Sequence, residues 1–198
     1  NFDLIPKELL TPELLSIQDK SGDTPLHILV LEGNFDLIPK DLLTPEILGI
    51  TDIWGETPLH VLAQEGNFDQ IPKDLLTPEL LSIQNSRGQN PLHILAYEGQ
   101  FDQIPKELLT PELLSIQDKN GDNPLHILAY EGQFDLVPKE LLTPELLNIK
   151  NKDGKTPLDI LKEKGNLHLI PKESLGNNNK ISEAIEKFTD LIRNVKNM

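Results

Sequence analysis

The sequence predicts an all-α solenoid of stacked repeats, and three observations lead to this fold class. A block of 33 residues fills the 198-residue chain six times, with copies that start at Asn1, Asn34, Asn67, Gln100, Gln133 and Asn166. Five copies contain a polar run with a fixed glycine, and a short apolar segment opened by proline follows each run. A unit this short cannot bury its own apolar face, so the copies must pack on their neighbours and form an elongated binding surface.

Composition and charge restrict the possible functions. Hydrophobic residues make up 37% of the chain and charged residues 25%, which is typical of a folded globular domain. No apolar run approaches the roughly 18 residues that a membrane span needs. The net charge of −14 repels phosphate backbones and anionic lipid, so neither nucleic acid nor a membrane is expected as a partner. The absence of cysteine excludes disulfides and thiolate metal sites and favours the cytoplasm.

Each polar run is predicted to form a tight turn, which we call a finger. The fingers occupy residues 19–23, 52–56, 85–89, 118–122 and 151–155. Glycine always stands at the fourth place, and it accepts backbone conformations that other residues resist. The blocks that start at Asn67 and Gln100 differ at six positions, of which four lie in the finger. Differences between these copies therefore concentrate in the fingers.

A first helix is predicted after each finger. Its cap residues are Thr24, Thr57, Asn90, Asn123 and Thr156, each followed by Pro-Leu, and its exit residues are Gly33, Gly66, Gly99, Gly132 and Gly165. The cap oxygen satisfies a free backbone N–H, and proline lacks the N–H that would be unpaired there. The resulting helix of about eight residues is too short to be stable alone in water.

A second helix is predicted to follow through the Ile-Pro-Lys-Glu-Leu-Leu segment and its variants. Its expected caps are Asp3, Asp36, Asp69, Asp102 and Asp135. Proline would then lie in the first turn, where a helix needs no donor. Thr-Pro-Glu repeats the cap-and-proline pattern and predicts one more short helical turn, with caps at Thr11, Thr44, Thr77, Thr110 and Thr143.

The finger and the start of the first helix resemble a known repeat signature. The runs GDTPLH at 22–27 and DKNGDNPLH at 118–126 are similar to the signature of the ankyrin repeat family, and the 33-residue period matches that family too. The resemblance implies antiparallel helix pairs, projecting β-turn fingers, a concave face made from first helices and fingers, and protein recognition. Thr-Pro-Glu-Leu-Leu stands where the family's second helix typically ends with Gly-Ala, which predicts altered packing on the convex side.

The family register begins at the finger and sets the expected limits of the repeats. It divides one continuous solenoid into a partial repeat at 1–18, repeats at 19–51, 52–84, 85–117 and 118–150, a degenerate repeat at 151–179 and a C-terminal capping helix at 180–198. The apolar residues between Ile181 and Met198 follow helical i, i+3, i+4, i+7 spacing, which also suits a partner-binding helix or a dimer seam.

The start of the chain indicates a segment of a longer protein. Residue 1 is Asn rather than Met, and the opening NFDLIPKELL is not a signal peptide. The partial repeat also lacks the polar outer face that a terminal repeat normally has. We expect a monomer, with end-to-end association through the uncapped N-terminus as the alternative.

Candidate chemistry is sparse. One histidine recurs in the first helix of four repeats, at His27, His60, His93 and His126, and Asp159 replaces it in the last. Adjacent repeats should lie about 8–10 Å apart, whereas zinc–nitrogen bonds measure about 2 Å, so neighbouring histidines cannot share an ion. Each histidine is expected to tie its helix to a finger backbone. No catalytic cluster, phosphate loop or His-x-x-x-His spacing is present, so no catalytic residue, cofactor or metal ligand is predicted.

Binding residues are expected where the copies differ. One position of the first helix, which the resemblance places on the concave face, holds Leu31, Gln64, Tyr97 and Tyr130. Two tyrosines beside an acidic stripe suit a basic or amphipathic partner, because tyrosine combines a large contact area with a polar tip. The alternative is that near-identical copies simply carry the tyrosines along.

The fingers supply three further candidates. Ile53 and the chain's only tryptophan, Trp54, stand in one finger where the other fingers have polar residues, and Arg87 takes the place of Trp54 in the next. An exposed Trp-Ile pair is a plausible anchor for a partner. The alternative is that this pair packs on the neighbouring finger.

These patterns predict a non-catalytic protein-binding scaffold that uses the concave face and the fingers. A rival interpretation is the targeting or substrate-recruiting part of a larger enzyme or secreted effector, which would act in a host cytosol and carry its catalytic part elsewhere. A third is an engineered repeat protein with no natural partner. The irregular last repeat and the nonuniform fingers disfavour that third interpretation.

Overall fold

The computed structural model describes residues 10–170 and Lys187. Those residues form α-helices, 3-10 turns and fingers, with no β-strand among them. The first nine residues of the predicted partial repeat, the end of the degenerate repeat after Ile170 and, except for Lys187, the predicted capping helix lie outside the described residues.

Residues 10–170 contain ten α-helices. In chain order they are α1 (Pro12–Leu15), α2 (Pro25–Leu31), α3 (Pro45–Leu48), α4 (Pro58–Glu65), α5 (Pro78–Ser82), α6 (Pro91–Tyr97), α7 (Pro111–Ser115), α8 (Pro124–Glu131), α9 (Pro144–Leu147) and α10 (Pro157–Glu163). The even-numbered helices follow the fingers and are the predicted first helices. Each packs against the next one along the chain, α2 on α4, α4 on α6, α6 on α8 and α8 on α10.

Capping starts and ends the long helices as predicted. The hydroxyl of Thr57 accepts a hydrogen bond from the backbone N–H of His60 at 3.4 Å, and Pro58 occupies the first turn. Gly66 ends α4 with φ of +76°, in the left-handed region that favours glycine. The odd-numbered helices begin in the same way, because the threonine before each one accepts a hydrogen bond from the backbone N–H three residues later.

The prediction of a second helix in each unit is wrong. Between α2 and α3 the chain instead makes two 3-10 turns, Phe35–Leu37 and Lys40–Leu42. The same pair recurs as Phe68–Gln70 with Lys73–Leu75, Phe101–Gln103 with Lys106–Leu108, and Phe134–Leu136 with Lys139–Leu141, and a single turn, Leu167–Leu169, follows α10. Asp36, the predicted cap, lies inside the first turn, whose preceding residue is Asn34.

Proline explains why this segment cannot be one helix. Ile38 is extended, with ψ of 123°, and Pro39 has φ of −57° and ψ of 127°. The ring of a proline clashes with the preceding residue when that residue is helical, so Ile38 is forced out of the α region. A helix that began before Ile38 must therefore stop there, and two short turns replace it.

The apolar core is one cluster that runs along the described chain from Leu15 to Ile170. One phenylalanine from each first 3-10 turn is buried in it, namely Phe35, Phe68, Phe101 and Phe134, and Leu167 stands at this place after α10. The 3-10 turns thus contribute buried side chains to the core, as the predicted helix would have done. They bury one large side chain in each unit without needing a regular helix.

The fingers are joined into a continuous row by their backbones. Within the first finger the carboxylate of Asp19 accepts hydrogen bonds from the N–H groups of Ser21 and Asp23, at 2.8 and 3.0 Å. Between fingers, one backbone N–H donates to the preceding finger, as from Ile53 to Ser21 at 3.0 Å. The equivalent bonds are Ser86 to Trp54, Lys119 to Arg87 and Lys152 to Asn120. Sequence variation in the fingers therefore changes side chains on a fixed backbone.

The recurring histidine joins each long helix to the next finger, as expected. Nδ1 of His60 accepts from the N–H of Thr57 at 3.1 Å and lies 2.8 Å from its hydroxyl, while Nε2 donates to the carbonyl of Gln89 at 3.0 Å. His27, His93 and His126 make the corresponding bonds. Burial lowers the pKa of His60 and His93 to about 4, so both rings are neutral at pH 7.

Asp159 makes the capping hydrogen bonds of the histidine but not its bond to the next finger. Its carboxylate accepts hydrogen bonds from the N–H and the hydroxyl of Thr156, at 2.9 and 2.8 Å, as Nδ1 does in the other units. One period after the finger at 151–155, residues 184–188 read AIEKF and do not repeat the finger motif with its glycine. A short carboxylate is sufficient at this position.

Asparagine is a poorer cap than threonine beside this histidine, and we predict that replacing it stabilises the protein. The buried Nδ2 atoms of Asn90 and Asn123 have no hydrogen-bond partner among the described residues. Turning the amide over would leave its oxygen unpaired instead, whereas the hydroxyl of Thr57 both donates to Nδ1 and accepts from the backbone. Asn90→Thr and Asn123→Thr should each raise the free energy of unfolding by about 1 kcal/mol in urea titrations.

The reverse substitution provides the control. Thr57→Asn introduces the same unpaired amide and should lower the free energy of unfolding by a similar amount. A destabilised Asn90→Thr variant would contradict the assignment of the unpaired amide.

Candidate protein-binding surface

The predicted helix position lies on one exposed surface of the described chain. Leu31, Tyr97 and Tyr130 are 55%, 53% and 60% exposed, and Gln64 is half-buried. The residues just before them in α4, α6 and α8 are fully buried alanines. We call the surface formed by these helix positions and the adjoining fingers the helix–finger face.

Tyr97 and Tyr130 both line a groove of about 310 Å³ in this face. The groove lies between α6, α8 and α10 and two fingers, and Ile127 contributes to its apolar wall. Its charged lining consists of Asp122, Glu131, Asp153 and Lys155. The two tyrosines that the sequence singles out thus share one concave site with carboxylates from two neighbouring units.

Two lysines near this groove already interact with other side chains of the protein. The ammonium of Lys164 lies 3.8 Å from the ring centroid of Tyr130, a cation–π contact. Nζ of Lys155 lies 2.7 Å from a carboxylate oxygen of Glu163. Neither lysine was among the predicted binding residues. The signal in the sequence is that Lys164 interrupts a column otherwise made of glutamate.

Electrostatics at the groove are dominated by negative charge. Partial burial raises the pKa of the Tyr97 hydroxyl, and the nearby carboxylates of Asp122, Asp118 and Glu131 raise it further. The phenol is therefore neutral and available as a hydrogen-bond donor. His126 also lines the groove, and burial lowers the pKa of its imidazole, which keeps that ring uncharged at pH 7.

Gln64 and Arg87 converge on one carboxylate in the middle of the helix–finger face. Glu56 Oε1 accepts from Gln64 Nε2 and from Arg87 Nη2, both at 3.2 Å, and from Asn85 Nδ2 at 3.3 Å. The Arg87 side chain remains 67% exposed. These two predicted residues form a polar cluster, and it is separate from the tyrosine groove.

Ile53 and Trp54 lie at the N-terminal end of the same face. Their side chains are 64% and 52% exposed, although the backbone N–H of Trp54 is fixed by the carboxylate of Asp52 at 2.8 Å. Trp54 holds the finger place that Asp153 holds at the groove, and the matching helix places are occupied by Ile28 and Leu31. The repeat therefore puts an exposed apolar region here and a tyrosine-lined acidic groove at the other end.

Metal-ligand clusters and membrane-spanning helices are both absent from the described residues. They contain no group of three or more His, Asp or Glu side chains arranged to hold a metal ion. No helix among them is long and apolar enough to cross a membrane.

Comparison with known proteins agrees with this architecture. The family model described as ankyrin repeats (many copies) matches residues 107–161. No curated protein sequence matches the chain. The crystal structure of the ankyrin repeat protein EF0377 matches with a TM-score of 0.57, at 22% identity, over 77% of this chain and 80% of that one. This likeness shows the fold.

The units outside the matched segment repeat its structural elements. Residues 107–161 contain a complete finger, long helix and pair of 3-10 turns, and the block that starts at Asn67 differs from the block that starts at Gln100 at only six positions. The capping, the fingers and the histidine link recur in the units outside the match. Residues 107–161 thus match the ankyrin repeat family model, and the described chain has the fold of an ankyrin repeat protein.

Proposed function

We propose that this chain is a non-catalytic scaffold that binds a protein partner through the helix–finger face. Ankyrin repeats generally mediate protein–protein interactions, and their fold is typically non-catalytic. One observation carries the proposal for this surface: Leu31, Tyr97 and Tyr130 stay exposed at the same helix place in three of the units, while the residue just before each is buried. Exposed groups of this kind mark interaction surfaces.

The chemistry of the face favours a basic or amphipathic partner. The whole chain carries a net charge of −14, which attracts cationic proteins at long range. The apolar region around Trp54 offers a hydrophobic anchor point, and the tyrosine groove offers aromatic and acidic contacts. Trp and Tyr are the residue types most enriched among binding hot spots. Because the sequence has no cysteine, we place this binding in the reducing cytoplasm.

Affinity capture with a surface variant tests the proposal. The triple variant Trp54→Ala/Tyr97→Ala/Tyr130→Ala removes the three largest exposed aromatic side chains among the described residues. Truncation of a hot-spot residue costs about 2 kcal/mol or more, so proteins captured from the source cell should bind the triple variant more than tenfold more weakly.

A matched control changes exposed, uncharged side chains elsewhere. Gln70→Ala/Ser82→Ala/Asn148→Ala alters the 3-10 turns and short helices, and leaves the helix–finger face intact. Captured proteins should bind this control as they bind the original chain, and circular dichroism should show both variants folded. Capture that survives the aromatic variant unchanged would overturn the proposed surface.

A further inference from the structure

We propose that the groove between Tyr97 and Tyr130 receives a cationic side chain, arginine or lysine, from the bound partner. This inference rests on the proposed function, because it names what one part of the helix–finger face recognises. Its volume of about 310 Å³ lies at the small end of the roughly 300–1,000 Å³ typical of ligand pockets. A single side chain with the adjoining peptide backbone is an occupant of suitable size.

The side chains that line the groove carry a net negative charge, which favours a cationic occupant. Asp122, Glu131 and Asp153 contribute three carboxylates, and the single lysine of the lining, Lys155, is paired with Glu163 outside it. Asp122 is fixed in position because its Oδ1 accepts from Asn151 Nδ2 at 2.7 Å. A carboxylate held in this way has already lost side-chain freedom, so a partner's cation meets it at reduced entropic cost.

The aromatic walls suit the same occupant. The contact between Lys164 and Tyr130 shows that a ring at the edge of the groove already attracts an ammonium group of the chain itself. The face of a tyrosine ring carries partial negative charge, and the attraction is stronger where water is excluded. A guanidinium can stack on such a ring while it donates two hydrogen bonds to a carboxylate, which predicts that arginine binds more tightly than lysine.

The one positively charged side chain of the lining, Lys155, is paired with Glu163 at 2.7 Å. His126 is neutral there, and its Nε2 is already committed to the carbonyl of Lys155 at 3.1 Å. Lys164 is the competitor at the rim, since it occupies the ring of Tyr130. Removal of Lys164 should therefore free the ring and tighten binding of an external cation.

Titration with a pair of small probes tests the site on the full chain. N-acetyl-arginine amide carries the cation, and N-acetyl-citrulline amide is its neutral counterpart of nearly the same shape. Saturable shifts of the Tyr97 and Tyr130 ring resonances are expected in NMR spectra with the arginine probe and not with the citrulline probe. Equal shifts with both probes, or none with arginine, would overturn the cation site.

Variants separate a specific site from general attraction to an acidic protein. Asp153→Asn changes an exposed finger side chain and should weaken the arginine probe about threefold. Lys164→Gln should strengthen it about threefold, because a cation–π contact is freed. Lys162→Gln removes the same charge two residues earlier, inside α10, and should give a smaller gain. Equal gains from the two lysine variants would mean general electrostatics only and would overturn the site.

The outcome is distinguishable from that of the proposed scaffold function. If the aromatic triple variant loses captured proteins and the arginine probe fails to bind, the scaffold surface stands and the cation site falls. If the arginine probe binds and capture survives the triple variant, the groove recognises cations and the proposed partner surface falls.

Discussion

Acidification from about pH 7 to about pH 4.5 is expected to lower the free energy of unfolding by about 5 kcal/mol through His60 and His93 alone. Both side chains are fully buried, and burial lowers the pKa of each from 6.5 to about 4. Their rings are also committed on both sides, since Nδ1 accepts from the cap residue and Nε2 donates to the next finger. Protonation of Nδ1 would break the capping box.

The direction of the effect follows from proton binding. Between pH 6.5 and pH 4 the unfolded chain holds a proton on each of these histidines and the folded chain does not. Acid therefore favours the unfolded state across that window. The stability that neutral His60 and His93 provide is complete above pH 6.5 and declines as the pH falls to about 4, where the loss levels off.

Urea titrations at several pH values, with NMR titration of the imidazoles, measure this effect. The His60→Gln/His93→Gln variant is the control, because glutamine does not titrate and any remaining pH dependence belongs to other groups. The control should show a much flatter decline between pH 6.5 and pH 4.5. Equal slopes for the two proteins, or imidazoles that titrate near pH 6.5 in the folded chain, would contradict the prediction.

Gly121→Ala is expected to cost roughly 3 kcal/mol of stability. Gly121 has φ of +80°, and an added Cβ would lie 2.9 Å from the backbone N of Lys152 and 3.0 Å from Cα of Asn151. Left-handed backbone costs a side-chain-bearing residue about 1–2 kcal/mol, and the clash would also break the 2.9 Å bond from Lys152 to Asn120, which is worth about 1 kcal/mol. The atoms of the next finger that the added Cβ would meet belong to the backbone, which cannot rotate away as a side chain could.

Gly154→Ala separates the two costs. Gly154 has nearly the same conformation, with φ of +75°, but its added Cβ would meet no heavy atom of the described residues within 4 Å. This variant should lose only the conformational part, about 1–2 kcal/mol. Urea titrations of both variants give the comparison, and equal losses would contradict the view that close finger stacking requires glycine.

One rule about proline explains both a correct and a wrong prediction of the elements. The residue before proline must be extended, and Thr44 before Pro45 satisfies this with ψ of 156°, because a cap residue lies outside the helix. Ile38 before Pro39 is extended as well, but it would have lain within the predicted second helix. The same dipeptide constraint therefore starts α3 and breaks the helix that was expected before it.

The candidate site could be predicted only in part. Exposure at the shared helix position follows from the repeat pattern, since Tyr97 and Tyr130 replace smaller or polar residues there. The partners of each side chain come from the adjacent unit, as with Arg87 on Glu56 of the preceding finger. The 33-residue period identifies which units are neighbours. It does not determine which way a side chain points between two units, because that depends on how the units pack.

The histidine link gives the array a direction. Each donor belongs to one unit and each acceptor carbonyl to the unit after it, so a histidine is useful only where another finger follows. Asp159 keeps the local cap and needs no successor. Units that carry the histidine are thus interchangeable with one another, since each offers a donor to the finger after it. If a further finger were engineered one period after 151–155, a histidine at position 159 would have a carbonyl to bind, and Asp159 would not reach it.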